Sequence, residues 1–442
     1  MNPFANIFKI PELRRRVLFM IGMLFIYRLG AHVPTPGVNG HVMNMLISQQ
    51  AGGFLGFLDL MSGGALKQFT IFSLGIMPYI SASIILQLLT SVIPALEALS
   101  KEGDAGRKKI TQYTRYLTVG ICAIQSFAVT MWMKTVEVGG TPLVQNSGFV
   151  FILTSILTLT AGTIFLMWLG EQMTEYGIGN GMSILILAGI IASIPGQIAR
   201  MIALMQGGTL SLFQALLFIV AMIGLTAVAV ISQQSFRKIP VQYAQRIVGR
   251  KIYRGQSTQL PLKIDYSGVI AVIFASSVMI IPSMIGKLFE RPGQSDMVQN
   301  ALAMIQKLFS AGNILYVVLY SALIIFFCYF YTAISFNPND LAENMKKNGG
   351  FVPGIRPGQP TADYINDILT HITLGGALLI VAIAIIPDLL GSLSGIGMYF
   401  GGTTLLIMVG VSLDLVQQVE AHLLMRHYDG FMKSGKIRGR RL

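Results

Sequence analysis

Charge is what this chain has least of. Only 12% of its 442 residues are Asp, Glu, Lys or Arg, against 53% hydrophobic, and the mean hydropathy is +0.65. Soluble domains carry roughly 25% charged residues, so a water-exposed globular domain is excluded and a polytopic membrane protein remains. Cysteine is nearly missing as well. Cys122 and Cys328 are the two present, and both fall inside apolar runs. They read as small buried side chains, which argues against a disulfide framework or a thiolate metal site. The five histidines, His32, His41, His371, His422 and His427, have no metal-ligand spacing, so no metal is expected. No G-x-x-x-x-G-K-[ST] run occurs, which excludes nucleotide hydrolysis by that route, and no cofactor is implied. The first apolar run is too long for a cleaved leader and has no small-residue cleavage site, so it reads as a membrane span.

What the chain does have is ten apolar runs, at about 17–34, 69–93, 115–133, 149–169, 181–199, 210–231, 267–286, 313–335, 369–387 and 399–417. An even number of spans puts both termini on one side, and Lys and Arg decide which side faces the cytoplasm. Four basic residues precede span one, five lie in 101–115, seven in 232–266, three in 336–368 and six in the tail. The opposite side holds Lys67, Lys134, Arg200, Lys287, Arg291 and Lys307, with Arg28 inside span one. Both termini are therefore expected to be cytoplasmic. Ten spans divide into halves of five, 1–200 and 201–442, and an odd number per half forces opposite orientations, as in inverted repeats.

The chain is organised around residues 54 to 90. Residues 54–66 (FLGFLDLMSGGAL) are apolar but roughly half the ~20 residues a spanning helix needs, and such segments are more often re-entrant or buried. A full-length span is expected directly after, from Phe69 to Ile93, interrupted by Gly75 and Pro78. In lipid, broken helices are tolerated only where protein or a watery cavity satisfies the freed backbone groups. Ile76, Ile80 and Ile84 then share one helix face. Ionisable groups inside membrane spans are functional hypotheses by default, and few exist here. Arg28 is expected to snorkel outward from span one, and Asp414 lies near the cytoplasmic end of span ten. Glu171 and Glu175, four apart, read as a solvated helix end, with a proton-handling pair as the alternative. Gly177-Ile-Gly-Asn-Gly181 lies between two spans and reads as a tight turn rather than a phosphate loop.

Two cytoplasmic loops exceed thirty residues. The 232–266 loop combines seven basic residues with Tyr243, Tyr253 and Tyr266. It reads either as a positive-inside loop attracted to anionic lipids or as a docking surface for a large anionic partner such as ribosomal RNA. The 336–368 loop confines Arg356 within Phe351-Val-Pro-Gly-Ile-Arg-Pro-Gly358, as a turn anchor or as a rigidly presented arginine.

Several runs together resemble the SecY family. They are Leu60-Met-Ser-Gly-Gly-Ala-Leu66, Gly75-Ile-Met-Pro-Tyr-Ile-Ser-Ala-Ser83, Glu102-Gly-Asp-Ala-Gly-Arg107, Trp168-Leu-Gly-Glu-Gln172, Gly177–Gly181, Phe336-Asn-Pro338, Phe351–Gly358 and Tyr399-Phe-Gly-Gly-Thr403. The likeness runs in matching order from about Phe8 to the tail and is weakest at 134–148 and 287–312. It implies an all-α membrane protein with ten helices in two inverted halves around a central hourglass pore, in a bacterial plasma membrane. It further implies a plug at 54–66, including Phe57, Leu58, Leu60, Met61, Ser62, Gly63 and Gly64. The apolar pore ring implied is Ile76, Ile80, Ile186, Ile273 and Ile407, with Ser276 close by. Gln87 is a polar member of the implied lateral gate, and Arg246, Arg250, Lys251 and Arg356 match positions that dock the SecA motor or the ribosome. Gln245 stands where many relatives are basic. SecE, SecG, SecA, the ribosome, signal peptides, nascent chains and anionic lipids are the partners implied.

The function expected is therefore a non-enzymatic protein-conducting channel, which passes unfolded polypeptides and releases apolar segments sideways into lipid. An inverted-repeat carrier for a small solute is the alternative, and it needs a coupling residue at the midplane. An intramembrane enzyme is disfavoured, since no buried nucleophile, carboxylate pair or metal cluster is legible.

Overall fold

The computed structural model describes residues 10–49, 54–138, 141–144, 148–243, 246–248, 251–253, 257–289, 313–393 and 401–434. Its helices in chain order are α1 Pro11–Gly30, α2 Gly40–Gln49, α3 Phe54–Met61, α4 Met77–Val92, α5 Pro94–Lys101, α6 Asp104–Thr135, α7 Phe149–Tyr176 and α8 Gly181–Gln206. They continue with α9 Leu212–Gln234, α10 Gly268–Phe289, α11 Ile314–Ser335, α12 Pro338–Lys347, α13 Gln359–Leu393 and α14 Gly402–Ser434. Among the described residues, seven helices are long and apolar enough to cross a bilayer, or eight if α4 and α5, bent by 100° at Ile93, count as one broken span. The other runs expected to span fall on α1, whose first turns carry Glu12 and Arg14 to Arg16, and on α10. The class is a multi-span helical membrane protein.

One expectation needs correction. The run 69–93 is not one helix: residues 69–76 are turns, with Thr70 bridged antiparallel to Pro34, and α4 starts at Met77. Phe69 and Gly75 sit at φ +45 and +57, outside the helical region, and Pro78 lies in the first turn, where its missing N–H costs nothing. The two long loops, 232–266 and 336–368, contain strands. Strand β3 Phe236–Tyr243 pairs antiparallel with β6 Ser257–Lys263, and β7 Gly350–Phe351 adds to the other edge of β3 through Gln242 and Tyr243. At the hairpin tip β4 Arg246–Val248 pairs with β5 Lys251–Tyr253. A separate two-stranded pair, β1 Glu137–Val138 and β2 Thr141–Pro142, follows α6.

The chain divides into two compact units. One comprises Met1–Arg200, Lys287–Gln299 and Val411–Leu442, and the other Met201–Gly286 and Asn300–Gly410. In the first, α6 packs against α4 and α7, and buried Val42, Met43, Ile47, Leu66, Phe69, Met133, Leu143 and Leu159 form a core. In the second, α13 packs against α9, α11 and α12. Alternate residues Ile239 and Val241 of β3, with Leu262 of β6, turn inward onto Met345, Val352, Ile365 and Leu369. Period-two burial of this kind is what a one-sided sheet requires, and it folds parts of the 232–266 and 336–368 loops into one small body.

Candidate functional site

The segment that begins with α3 is held at its C-terminal end by an unusually complete set of contacts. The apolar octet FLGFLDLM makes the helix, and Ser62-Gly63-Gly64 ends it. Gly63 and Gly64 adopt φ +70 and +85, which only glycine takes without penalty, and the Gly64 N–H donates back to the Asp59 carbonyl at 2.8 Å. From α1, the Tyr27 hydroxyl donates to the Ser62 carbonyl at 3.1 Å, and Arg28 Nη1 donates to the Gly63 carbonyl at 2.8 Å. Arg28 therefore does more than snorkel: it ties the first span to the short segment. From α8, Gly189 lets backbone meet backbone at Gly63. Beneath these contacts Ser73 Oγ donates to the carbonyls of Ala65 and Thr70. The turns at 69–76 pack so closely that Gly30 of α1 has no room for a side chain beside Phe72, nor Gly162 of α7 beside the Ile71 carbonyl.

Leu60, Met61, Ser62, Ala65 and Leu66 are buried, and Leu58 packs against the apolar core. The Phe57 side chain lies outside the described residues. One charged group is buried with them. Asp59, 5% exposed, accepts from the Lys67 N–H at 2.9 Å and pairs with Lys67 Nζ at 3.4 Å.

The expected ring residues are each placed within their own unit. In the first, Ile76, Ile80 and Ile186 are buried at 3%, 8% and 3%. Ile76 precedes α4, and its carbonyl accepts from the Ile80 N–H, one turn on. In the second, Ile407 and Ser276 are buried, and the Ile273 carbonyl accepts from both Ser276 Oγ and Ser277 Oγ at 2.9 and 2.7 Å. Gln87 is half-buried on α4, its amide donating to Ser83 Oγ at 3.5 Å.

In the 232–266 loop, β4–β5 pairing sets Arg246 opposite Tyr253 and Lys251 opposite Val248, while Arg250 lies outside the described residues. Arg356 is exposed. Its carbonyl accepts from Thr361 Oγ1 at 2.8 Å, so backbone rather than guanidinium fixes the turn, with Gly354 and Gly358 at φ +84 and +105. The Gly177–Gly181 run is the tight turn expected. Asn180 Oδ1 accepts from the N–H groups of Met182 and Ser183, and Arg16 Nη1 donates to the Gly177 carbonyl at 3.1 Å. Glu171 makes a two-pronged pair with Arg115, Nε and Nη2 each 2.8 Å from a carboxylate oxygen. Sequence reading missed Tyr27, Gly189, Arg115 and the Asp59–Lys67 pair as parts of the site. The short apolar run 54–66 and the resemblance pointed toward the segment, but not toward these partners.

A multi-span helical chain with few charges in its spans and a short buried segment tied by its backbone to two long helices is of the channel class. The chain belongs to the SecY family, whose sequence profile matches residues 70–416. It is 46% identical over 428 residues to the protein translocase subunit SecY of Escherichia coli K12, covering 97% of this chain and 96% of that one. Solved structures share the fold at 17% identity and 95% coverage of this chain. They include a protein-conducting channel (TM-score 0.63), a SecY study assigning its plug domain to closed-state stability and the membrane seal (0.62), and Sec61 in a canine ribosome–channel complex (0.58).

Proposed function

We propose that the chain forms the protein-conducting channel of a Sec translocon in a bacterial plasma membrane, with residues 54–66 as its plug. The observation that carries this reading is the anchoring of Ser62 and Gly63 by Tyr27, Arg28 and Gly189, which holds a short apolar helix against α1 and α8. Ile76, Ile80 and Ile186 contribute one half of an apolar pore lining, and Ile273, Ile407 and Ser276 the other. A narrow ring of branched apolar side chains dewets and so resists ions, yet offers no ligand to hold a passing polypeptide. Gln87 belongs to a lateral gate through which apolar segments reach lipid. Each Leu, Ile, Phe or Val there gains roughly 0.3–0.6 kcal/mol, against about 2.5–3.5 kcal/mol lost per central charge, so the opening sorts segments by hydropathy.

The channel supplies no driving energy. SecA or the ribosome supplies it by docking on Arg246, Arg250, Lys251 and Arg356, while SecE and SecG complete the complex and anionic lipids meet the basic cytoplasmic face. Both termini are cytoplasmic, as the excess of Lys and Arg on that side supports. Proteoliposomes holding the chain with a SecE-type partner, given SecA, ATP and a signal-bearing precursor, are expected to protect the precursor from protease. Arg356→Glu is expected to cut that protection at least tenfold, the weight of a lost charge-assisted contact of about 1.5–3 kcal/mol. No protected precursor from the unsubstituted complex would contradict the proposal.

A further inference from the structure

Burying a carboxylate is costly unless a partner charge accompanies it, and Asp59 is buried where the segment 54–66 has least need of charge. Two of its partners come from one residue, with the Leu66 N–H nearby. The Lys67 N–H holds Oδ1 at 2.9 Å and Lys67 Nζ stands 3.4 Å from Oδ2. The side chains differ sharply in exposure, 8% for Asp59 and 47% for Lys67. Lys67 can thus return to water at little cost if its partner is neutral, whereas Asp59 has no such escape while the segment stays seated. The pair also brackets the anchored backbone. Asp59 lies before the Ser62 and Gly63 carbonyls that Tyr27 and Arg28 hold, and Lys67 lies after them.

We infer that Lys67 is a positioning residue for the closed channel: it compensates the buried Asp59 charge and so permits the plug to remain seated. This rests on reading residues 54–66 as the plug. Losing the Lys67 charge leaves an unpaired buried carboxylate, and that favours release of the segment into the aqueous funnel. Losing both charges leaves nothing to expel. The effect is asymmetric, and this separates charge compensation from simple packing by the lysine stem.

The test is ion conductance of the complex with its SecE-type partner in planar bilayers. The variants are Lys67→Met, Lys67→Arg, Asp59→Asn, the Asp59→Asn/Lys67→Met double and a deletion of 57–65. Lys67→Met is expected to raise the resting leak roughly tenfold. Lys67→Arg, Asp59→Asn and the double are expected to stay at the unsubstituted level. A double variant as leaky as Lys67→Met overturns the inference, as does a silent Lys67→Met beside a leaky deletion. A silent deletion overturns the plug reading itself. Recovery of the seal in the double also shows that Lys67→Met leaks as a folded protein.

Discussion

Gly63 and Gly189 meet backbone to backbone. A Cβ on Gly63 would stand 2.9 Å from the Gly189 Cα, and one on Gly189 would stand 3.1 Å from the Gly63 Cα. Neither neighbour is a flexible side-chain tip that could swing aside. Gly189→Ala is therefore expected to lift the 54–66 segment at an overpacking cost of about 1–3 kcal/mol. Resting conductance in planar bilayers should rise, with thermal unfolding changed little, because the strain is relieved by unseating rather than unfolding. Gly64 has open space around it, so Gly64→Ala carries only the cost of its positive φ and should leak less.

Tyr27 and Arg28 hold adjacent carbonyls, and each substitution strands one acceptor. Tyr27→Phe removes the donor to Ser62 and Arg28→Met the donor to Gly63. An unsatisfied buried carbonyl costs about 1–3 kcal/mol, more when the lost donor is charged. Both variants should increase the resting leak, Arg28→Met more. Equal silence in both would show that the seat is held by packing alone.

The Arg115–Glu171 pair is expected to be structural. Its side chains are 48% and 21% exposed, so solvent screens much of the attraction, and at most about 1 kcal/mol is at stake. Glu171→Gln should lower the thermal midpoint by about 1 °C at most and leave precursor translocation within about twofold. Abolished transport would instead support a proton-coupled carrier.

The sequence made local features legible and long-range ones not. Ser62-Gly63-Gly64 announces a helix end because glycine alone tolerates those dihedrals. Nothing local says that Tyr27, thirty-five residues earlier, supplies the donor to Ser62. The run 69–93 reads as one span because hydropathy is blind to φ, and the turn at Phe69 and Gly75 is imposed by packing on Gly30 and Gly162. The β3–β6 hairpin is not legible in the sequence because Pro240 and Pro261 disfavour a central strand and seven basic residues give the loop the look of a charge cluster. The alternation of Ile239 and Val241 was the available signal. The Asp59–Lys67 spacing of eight was invisible as well, since a glycine turn rather than a helix face brings the two together.

The pH response of the Lys67→Met leak follows from burial. Desolvation pushes the Asp59 carboxyl above its usual range, and Lys67 draws it partway back down. Among the described residues, Tyr27 of α1 is also in range of Asp59, with Arg28 bound beside it at Gly63. A raised value means that the seated segment binds the proton more readily than the released one. Closure is therefore favoured fully below the ordinary carboxylate range and loses that support as pH rises through the raised value. The Lys67→Met leak should shrink on acidification of the external face, and that of Gly189→Ala should not. A Lys67→Met leak independent of pH would argue against an ionised Asp59 as its cause.

Ion conductance of the intact complex against a deletion of residues 57–65 tests the central claim most directly. The account expects a silent intact channel and a leaky deletion, since removing the segment takes away one seal and leaves only the apolar lining. Silence in both, persisting after Ile76 and Ile407 are made polar in the deletion background, would contradict a plugged pore.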